Sequence, residues 1–281
     1  MKIITNTMDF SPGLMFGCGQ CFRFTQVGDG VYRGVAFGRV LTLEDTPEGV
    51  ALDCTQEDFD SVWHHYFDLG LDYGRVREKV DIGGFMADAI EFGRGIRILK
   101  QDFWEALCSF IISQCNNIPR IRGVIERMCA AYGEPIEKYG LNTFPTPQVI
   151  AGLSVDDLRK LGTGYRAEYI LSAARAVTGG ELTAEKLSKI PFNDAKKELM
   201  TIHGIGDKVA NCVLLYGLYR LDAFPVDVWM KRALERYFPP KFDPSVFGEY
   251  AGIAQQYVFH YVRVGQSKHP APADGTGALV T

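Results

Sequence analysis

The sequence predicts an α+β protein: an N-terminal antiparallel β-sheet domain followed by a mainly α-helical domain. Three observations carry that expectation. Short segments rich in β-branched and aromatic residues cluster before residue 55. From about residue 73, apolar residues recur at helical spacing behind recognisable N-caps. Between two of the later helices lies a turn flanked by glycines, "HGIG" at 203–206.

The strand segments are "CFRFT", "VYRGVAFG", "RVLTLE" and "GVALDC", with Asp29-Gly30 between two of them as a hairpin signal. "TQEDFDSVWHHYFDLG" reads as the first helix, with Thr55 as N-cap and Asp58 completing a capping box. "DFWEALCSFIISQ" starts at a capping Asp102 and carries an apolar stripe of Phe103, Ala106, Leu107, Phe110 and Ile111. "PRIRGVIERMCAAYG", "SVDDLRKLG" (Ser154 with Asp157) and "YRAEYILSAARAVTGG" follow in the same style. "NDAKKELM" offers Asn193 as a cap, and beyond the glycine turn Val209, Val213 and Tyr216 resume helical spacing. The unit over 193–217 is therefore helix, hairpin, helix. A last helix around "YAGIAQQYVFHYVR" gives way to a Gly/Pro/Ala-rich tail expected to be flexible. The expected division is 1–72, 73–264 and a tail at 265–281.

Composition bounds the function classes. At 281 residues, 47% hydrophobic and 23% charged, the chain fits a soluble globular protein of one or two domains. No apolar run approaches the roughly 20 residues of a membrane span, and "MKIITNTMDF" lacks a signal peptide's pattern, so an intracellular location is expected. Seven cysteines at irregular spacing suggest a reduced protein without a disulfide framework. Cys18 and Cys21 form a lone CxxC, which without a second pair is no zinc site, and no metal site is expected. The net charge of −4 conceals an asymmetry, because 44–81 holds eleven acids against three bases. The rest of the chain is net basic, which permits a cationic face.

Gly204 and Gly206 expose backbone N–H groups at a helix start, where unsatisfied amides and the dipole favour a phosphate. Lys208 lies in the first turn of that helix beside Val209 and Cys212. The dipole and the apolar neighbours both favour the uncharged amine, which is a nucleophile toward a carbonyl or a sugar carbon. Nineteen residues on, "FPVDVWM" places Asp227 to cap the next helix, close enough in sequence for a short return toward the hairpin. The alternative for such a lysine is contact with a phosphate or merely with solvent.

At this point the residues carry a resemblance. "GQCFRF" (19–24), "QDFWEALCSFIISQCNNIPRI" (101–121), "LGTGYRAEYI" (161–170), "HGIGDKVANC" (203–212), "PVDVWM" (225–230) and "YAGIAQQYVF" (250–259) together resemble the helix–hairpin–helix Gly/Pro–Asp superfamily of DNA base-excision glycosylases. They are similar to its 8-oxoguanine DNA glycosylase/AP lyase branch, in the same order. The resemblance implies Lys208 as nucleophile and Asp227 as the anion that steadies charge on the sugar. It implies base recognition by Gly19, Cys212, Gln255 and Phe259, with the Gly19 carbonyl accepting from the lesion's N7–H. It implies DNA contacts by Asn116, Asn117, Gly204 and Gly206, cytosine reading by Arg120 and Arg166, and a wedge at Tyr165. Cys115 stands where the branch usually has an asparagine that fills the gap left by the flipped base, and Trp229 where a histidine is common. The implied partner is double-stranded DNA containing 8-oxoguanine, bound by a monomer. No cofactor is expected beyond a monovalent cation at the hairpin. A glycosylase for another damaged base and a non-catalytic DNA-binding module are the rival expectations.

Overall fold

Alternation along the strands decides which face of the sheet is covered. In the stretch Arg39–Thr46, Leu41 and Leu43 are buried and their neighbours are wetter, the period-two pattern of a sheet with one solvated face. The structure, a computed structural model, describes residues 2–5, 9–136 and 139–265. Five antiparallel strands, β1 (Lys2–Thr5), β2 (Phe24–Gly28), β3 (Val31–Ala36), β4 (Arg39–Thr46) and β5 (Gly49–Asp53), lie in the order β1-β5-β4-β3-β2. Gly28 pairs with Val31 across the Asp29-Gly30 turn, and Gly30 takes φ +62°. Gly34 faces Phe24, and a Cβ there would stand 2.4 Å from the Phe24 ring, so only glycine allows this approach.

Two elements near the N-terminus were not expected. β1 pairs with β5, and a helix Pro12–Gly17 begins behind Ser11, whose side chain accepts from the Leu14 amide. "TQEDFDSVWHHY" is therefore not the first helix. It forms three contiguous helical pieces, Gln56–Asp58, Phe59–Trp63 and His64–Tyr66, the middle one wound wider. Thr55 caps it by accepting from Asp58 N at 3.0 Å. The capping box is not completed, because Asp58 takes the Thr55 hydroxyl instead of its amide. Trp63, Tyr66 and Phe67 from this stretch join Phe16, Phe24, Leu41, Leu43 and Leu52 in a core beneath the sheet.

The second core belongs to the helices. Helix Phe103–Ile112 is buried along nearly its whole surface, with Glu105 alone left out, so it is a central helix rather than one with a single apolar stripe. Asp102 caps it through Glu105 N at 2.9 Å, and Ser154 with Asp157 forms a full capping box, both as expected. Asn193 is not a cap. Helix Phe192–Met200 starts one residue before it, behind Pro191, with no side-chain cap bond. A further two-stranded ribbon, Pro135–Ile136 with Leu141–Asn142, sits after helix Ile118–Tyr132. The two cores interlock: Cys18 and Phe22 join the helical one, and Leu99 joins the one under the sheet. The C-terminal helix Ala251–His260 continues through Tyr261–Gly265. The tail expected to be flexible lies, from 266 on, outside the described residues.

Glu105 gives the fold a pH signature. Its carboxylate is 14% exposed and meets Arg23 at 3.7 Å, a loose pair bridging the two cores. Burial raises the carboxyl from its usual 4.5 to about 7, with Arg23 opposing and Asp102 adding to the rise. A carboxyl that is weaker when folded binds more protons in the folded state, so stability falls as pH rises from about 4.5 to about 7. Glu105→Gln removes that fall, worth up to about 3 kcal/mol. Urea unfolding at pH 5 and pH 8 checks it: the wild-type chain loses stability between the two, and the variant loses less.

Candidate active site

The hairpin is built on one close approach. Gly204 takes φ +87°, and a Cβ there would collide with the Tyr169 ring at 2.1 Å, whereas nothing lies within 4 Å of a Cβ at Gly206. Gly204 is thus demanded by geometry, and Gly206 is an exposed N-cap that leaves the amides of helix Asp207–Cys212 uncovered. Asp207 at that helix start is paired with Lys196 at 2.8 Å, which offsets its charge beside the anion-favouring amides.

Lys208 turns from the hairpin toward the end of helix Phe103–Ile112. Its Nζ donates to Ser113 Oγ at 3.1 Å and lies 5.4 Å from the Phe110 ring centre. Ser113 commits its own proton to the Phe110 carbonyl at 2.8 Å, so its oxygen is left to accept from the lysine. Cys212 Sγ also lies against Nζ, and among the described residues no carboxylate pairs with it. Half-buried, the amine faces a ring, a hydroxyl and a thiol. Burial pushes the Cys212 thiol up, so the sulfur stays protonated at neutral pH.

Asp227 lines the same cavity as Lys208. It caps helix Val228–Tyr237 by accepting from Met230 N at 2.9 Å, as its place after Pro225 predicts. Lys208, Asp227, Cys212, Gly19, Gln255 and Phe259 all line one cavity, so the structure brings the six expected residues together. Gln255 is buried; its Nε2 donates to the Pro225 carbonyl at 3.1 Å, and its buried Oε1 has no partner among the described residues. An orphaned buried acceptor costs about 1–3 kcal/mol, and a ligand donor relieves it.

The expected DNA-facing residues divide into two groups. Tyr165 is 49% exposed, set against Tyr169 and the Arg166 guanidinium, and Arg120 is exposed with no side-chain partner among the described residues. Asn116 is turned inward, donating to the Ile112 carbonyl and accepting from the Asn117 amide, and Asn117 caps helix Ile118–Tyr132. Arg166 is turned inward. It is 4% exposed and donates to the carbonyls of Gln114 (2.8 Å), Thr163 (3.3 Å) and Cys115 (3.2 Å). In this structure it fastens the turn after helix Phe103–Ile112. At the tip of that turn Cys115 is exposed with φ +45°, a left-handed backbone that asparagine tolerates better than cysteine.

Residues 2–107 match the model for the N-terminal domain of 8-oxoguanine DNA glycosylase, and residues 108–246 that of HhH-GPD superfamily base excision DNA repair proteins. The structure of MBOgg1 in complex with a low-affinity DNA ligand is 41% identical, with a TM-score of 0.88 over 93% of this chain and 95% of that one. The chain belongs to the 8-oxoguanine DNA glycosylase family. The apo 8-oxoguanine glycosylase/lyase of Clostridium acetobutylicum is 34% identical, TM-score 0.87, covering 92% of this chain and 96% of that one. A probable N-glycosylase/DNA lyase of Methanothermobacter thermautotrophicus is 29% identical over 256 residues, 80% of this chain and 79% of its own.

Two site residues of this family member had no signal in the sequence. Ser113 reaches Lys208 only because the fold joins positions 95 apart. Gln256 donates to the Cys18 carbonyl at 3.1 Å and accepts from the Tyr216 hydroxyl, locking the loop before Gly19 to the C-terminal helix. All seven cysteines are free thiols, and Cys18 and Cys21 point into different cores. Among the described residues, no helix is long and apolar enough to cross a membrane.

Proposed function

We propose that this chain is a bifunctional glycosylase and AP lyase that excises 8-oxoguanine from duplex DNA through a Schiff base on Lys208. One observation carries the reading: the lysine, the aspartate and an unsatisfied glutamine acceptor line one cavity beside the Gly19 loop. The damaged nucleotide leaves the duplex at a cost of a few kcal/mol and enters between Cys212 and Phe259. Gln255 Oε1 accepts from the Watson–Crick edge, and the Gly19 carbonyl accepts from the N7–H that guanine lacks. The Lys208 amine attacks C1′ and the base departs with the bonding electrons, while the Asp227 carboxylate steadies positive charge on the sugar. Ring opening gives the imine, and β-elimination then breaks the strand on the 3′ side. The hairpin amides hold a neighbouring phosphate, and their carbonyls take a monovalent cation. No other cofactor enters the chemistry, and a monomer acting in the compartment that holds DNA suffices.

Trp229 (42% exposed), Val226 and Val228 form an apolar ledge beside the lysine, and Arg232 stands over the Trp229 ring at 5.8 Å. This ledge supplies stacking against the DNA where a histidine would supply a phosphate contact.

Duplexes carrying 8-oxoguanine, guanine or 3-methyladenine opposite cytosine test the reading. Base release and nicking at 8-oxoguanine alone is the expected result. Release of the alkylated base at an equal rate, or binding without any product, contradicts it. Cys115→Asn bears on selectivity. The amide suits the left-handed position and fills the vacated helix, so discrimination for cytosine over the other opposite bases sharpens. Single-turnover rates against all four opposite bases measure it, and unchanged ratios would remove the role given to Cys115.

A further inference from the structure

The carbonyls around Gly19 are tied down one by one. Arg122 Nη2 donates to Phe16 O at 2.8 Å, Arg263 Nη2 to Gly17 O at 3.3 Å, and Gln256 Nε2 to Cys18 O at 3.1 Å. Beyond the glycine, Gln101 Nε2 donates to Gln20 O at 2.6 Å. Among the described residues, the Gly19 carbonyl alone in this run has no donor. A segment that ties every neighbouring carbonyl and leaves one acceptor open presents that acceptor at a fixed place.

Arg263 does more than the other three. A Cβ built on Gly19 stands 3.0 Å from its Nη1, so the guanidinium abuts the glycine itself. The same guanidinium lies 5.7 Å from the Phe259 ring centre. Gly19 and Phe259 are two walls of the base cavity, and Arg263 touches both from an adjoining cavity that also reaches Lys208 and Asp227. We propose that Arg263 is a specificity-determining positioning residue, which sets the distance between the Gly19 carbonyl and a base seated on Phe259. The inference rests on the glycosylase reading above. A carbonyl in register gains about 1 kcal/mol from an N7–H and is repelled by a bare N7; once displaced it gains and loses little. Releasing Arg263 therefore lowers discrimination between 8-oxoguanine and guanine; because the guanidinium also faces the Asp227 carboxylate through charge, the effect on chemistry is read separately at an abasic site.

The test places Arg263→Met, which keeps an apolar stem on Phe259 and removes the donors, in a Lys208→Gln background. Affinities are measured for duplexes with 8-oxoguanine and with guanine opposite cytosine. The affinity ratio is expected to fall about tenfold. With Lys208 intact, Arg263→Met should nick a duplex holding a preformed abasic site within about twofold of the parent, since no base remains to be read. Arg263→Lys keeps a donor but not the planar fork and is expected to lose about threefold in the ratio, which serves if the methionine variant does not fold. A preserved ratio, or abasic-site nicking that falls in step with it, overturns the role of Arg263. A parent chain that binds both duplexes equally overturns the functional reading and this inference with it.

Discussion

Lys208→Gln abolishes strand nicking and slows release of 8-oxoguanine by about 10⁴-fold or more, the scale seen when a catalytic nucleophile is deleted. Glutamine is close to lysine in length but offers no lone pair for attack on C1′, and the buried Cys212 thiol stays protonated and does not replace it. The fold tolerates the change. Nζ donates to Ser113 Oγ at 3.1 Å, and a glutamine amide can make that bond too. Unfolding free energy should move by no more than about 1 kcal/mol. Base-release and nicking assays, run beside a denaturation curve, check both halves. Residual nicking within about tenfold of wild type would assign the chemistry to another group.

Asp227→Asn is expected to lower turnover by about 10²–10³-fold, while affinity for lesion DNA changes by less than about threefold. Asparagine caps helices as well as aspartate does, so the bond from Met230 N survives and helix Val228–Tyr237 keeps its start. What disappears is the negative charge beside the sugar, which matters only once positive charge has developed there. Equal losses in turnover and binding would mean that Asp227 acts through the cap alone.

Local chemistry was legible in the sequence where it acts over three or four residues. The caps at Asp102, Ser154 and Asp227 were readable because capping joins a side chain to an amide three positions on. The hairpin announced itself through Gly204, which the Tyr169 ring forces to be glycine. At Asn193 the local signal misled, since the helix already begins at Phe192 with Pro191 in the N-cap position. Contacts made by distant segments left no trace. β1 is four residues long, too short to show a period, and exists because β5 offers it an edge. The full burial of helix Phe103–Ile112 follows from helices packed on every side of it, not from its own pattern. Arg166 reads as a surface charge at a helix start, yet the end of a neighbouring helix draws it inward with free carbonyls. Clustering of Lys208, Asp227 and Gln255 was expected, and the orphaned Gln255 acceptor among them was not.

Borohydride reduction during turnover on a duplex with 8-oxoguanine opposite cytosine tests the lysine most directly. The wild-type chain should yield a stable protein–DNA adduct whose peptide map places the link on Lys208, with no adduct from Lys208→Gln. Base release without any trapped adduct, or an adduct that maps to another residue, would contradict the account.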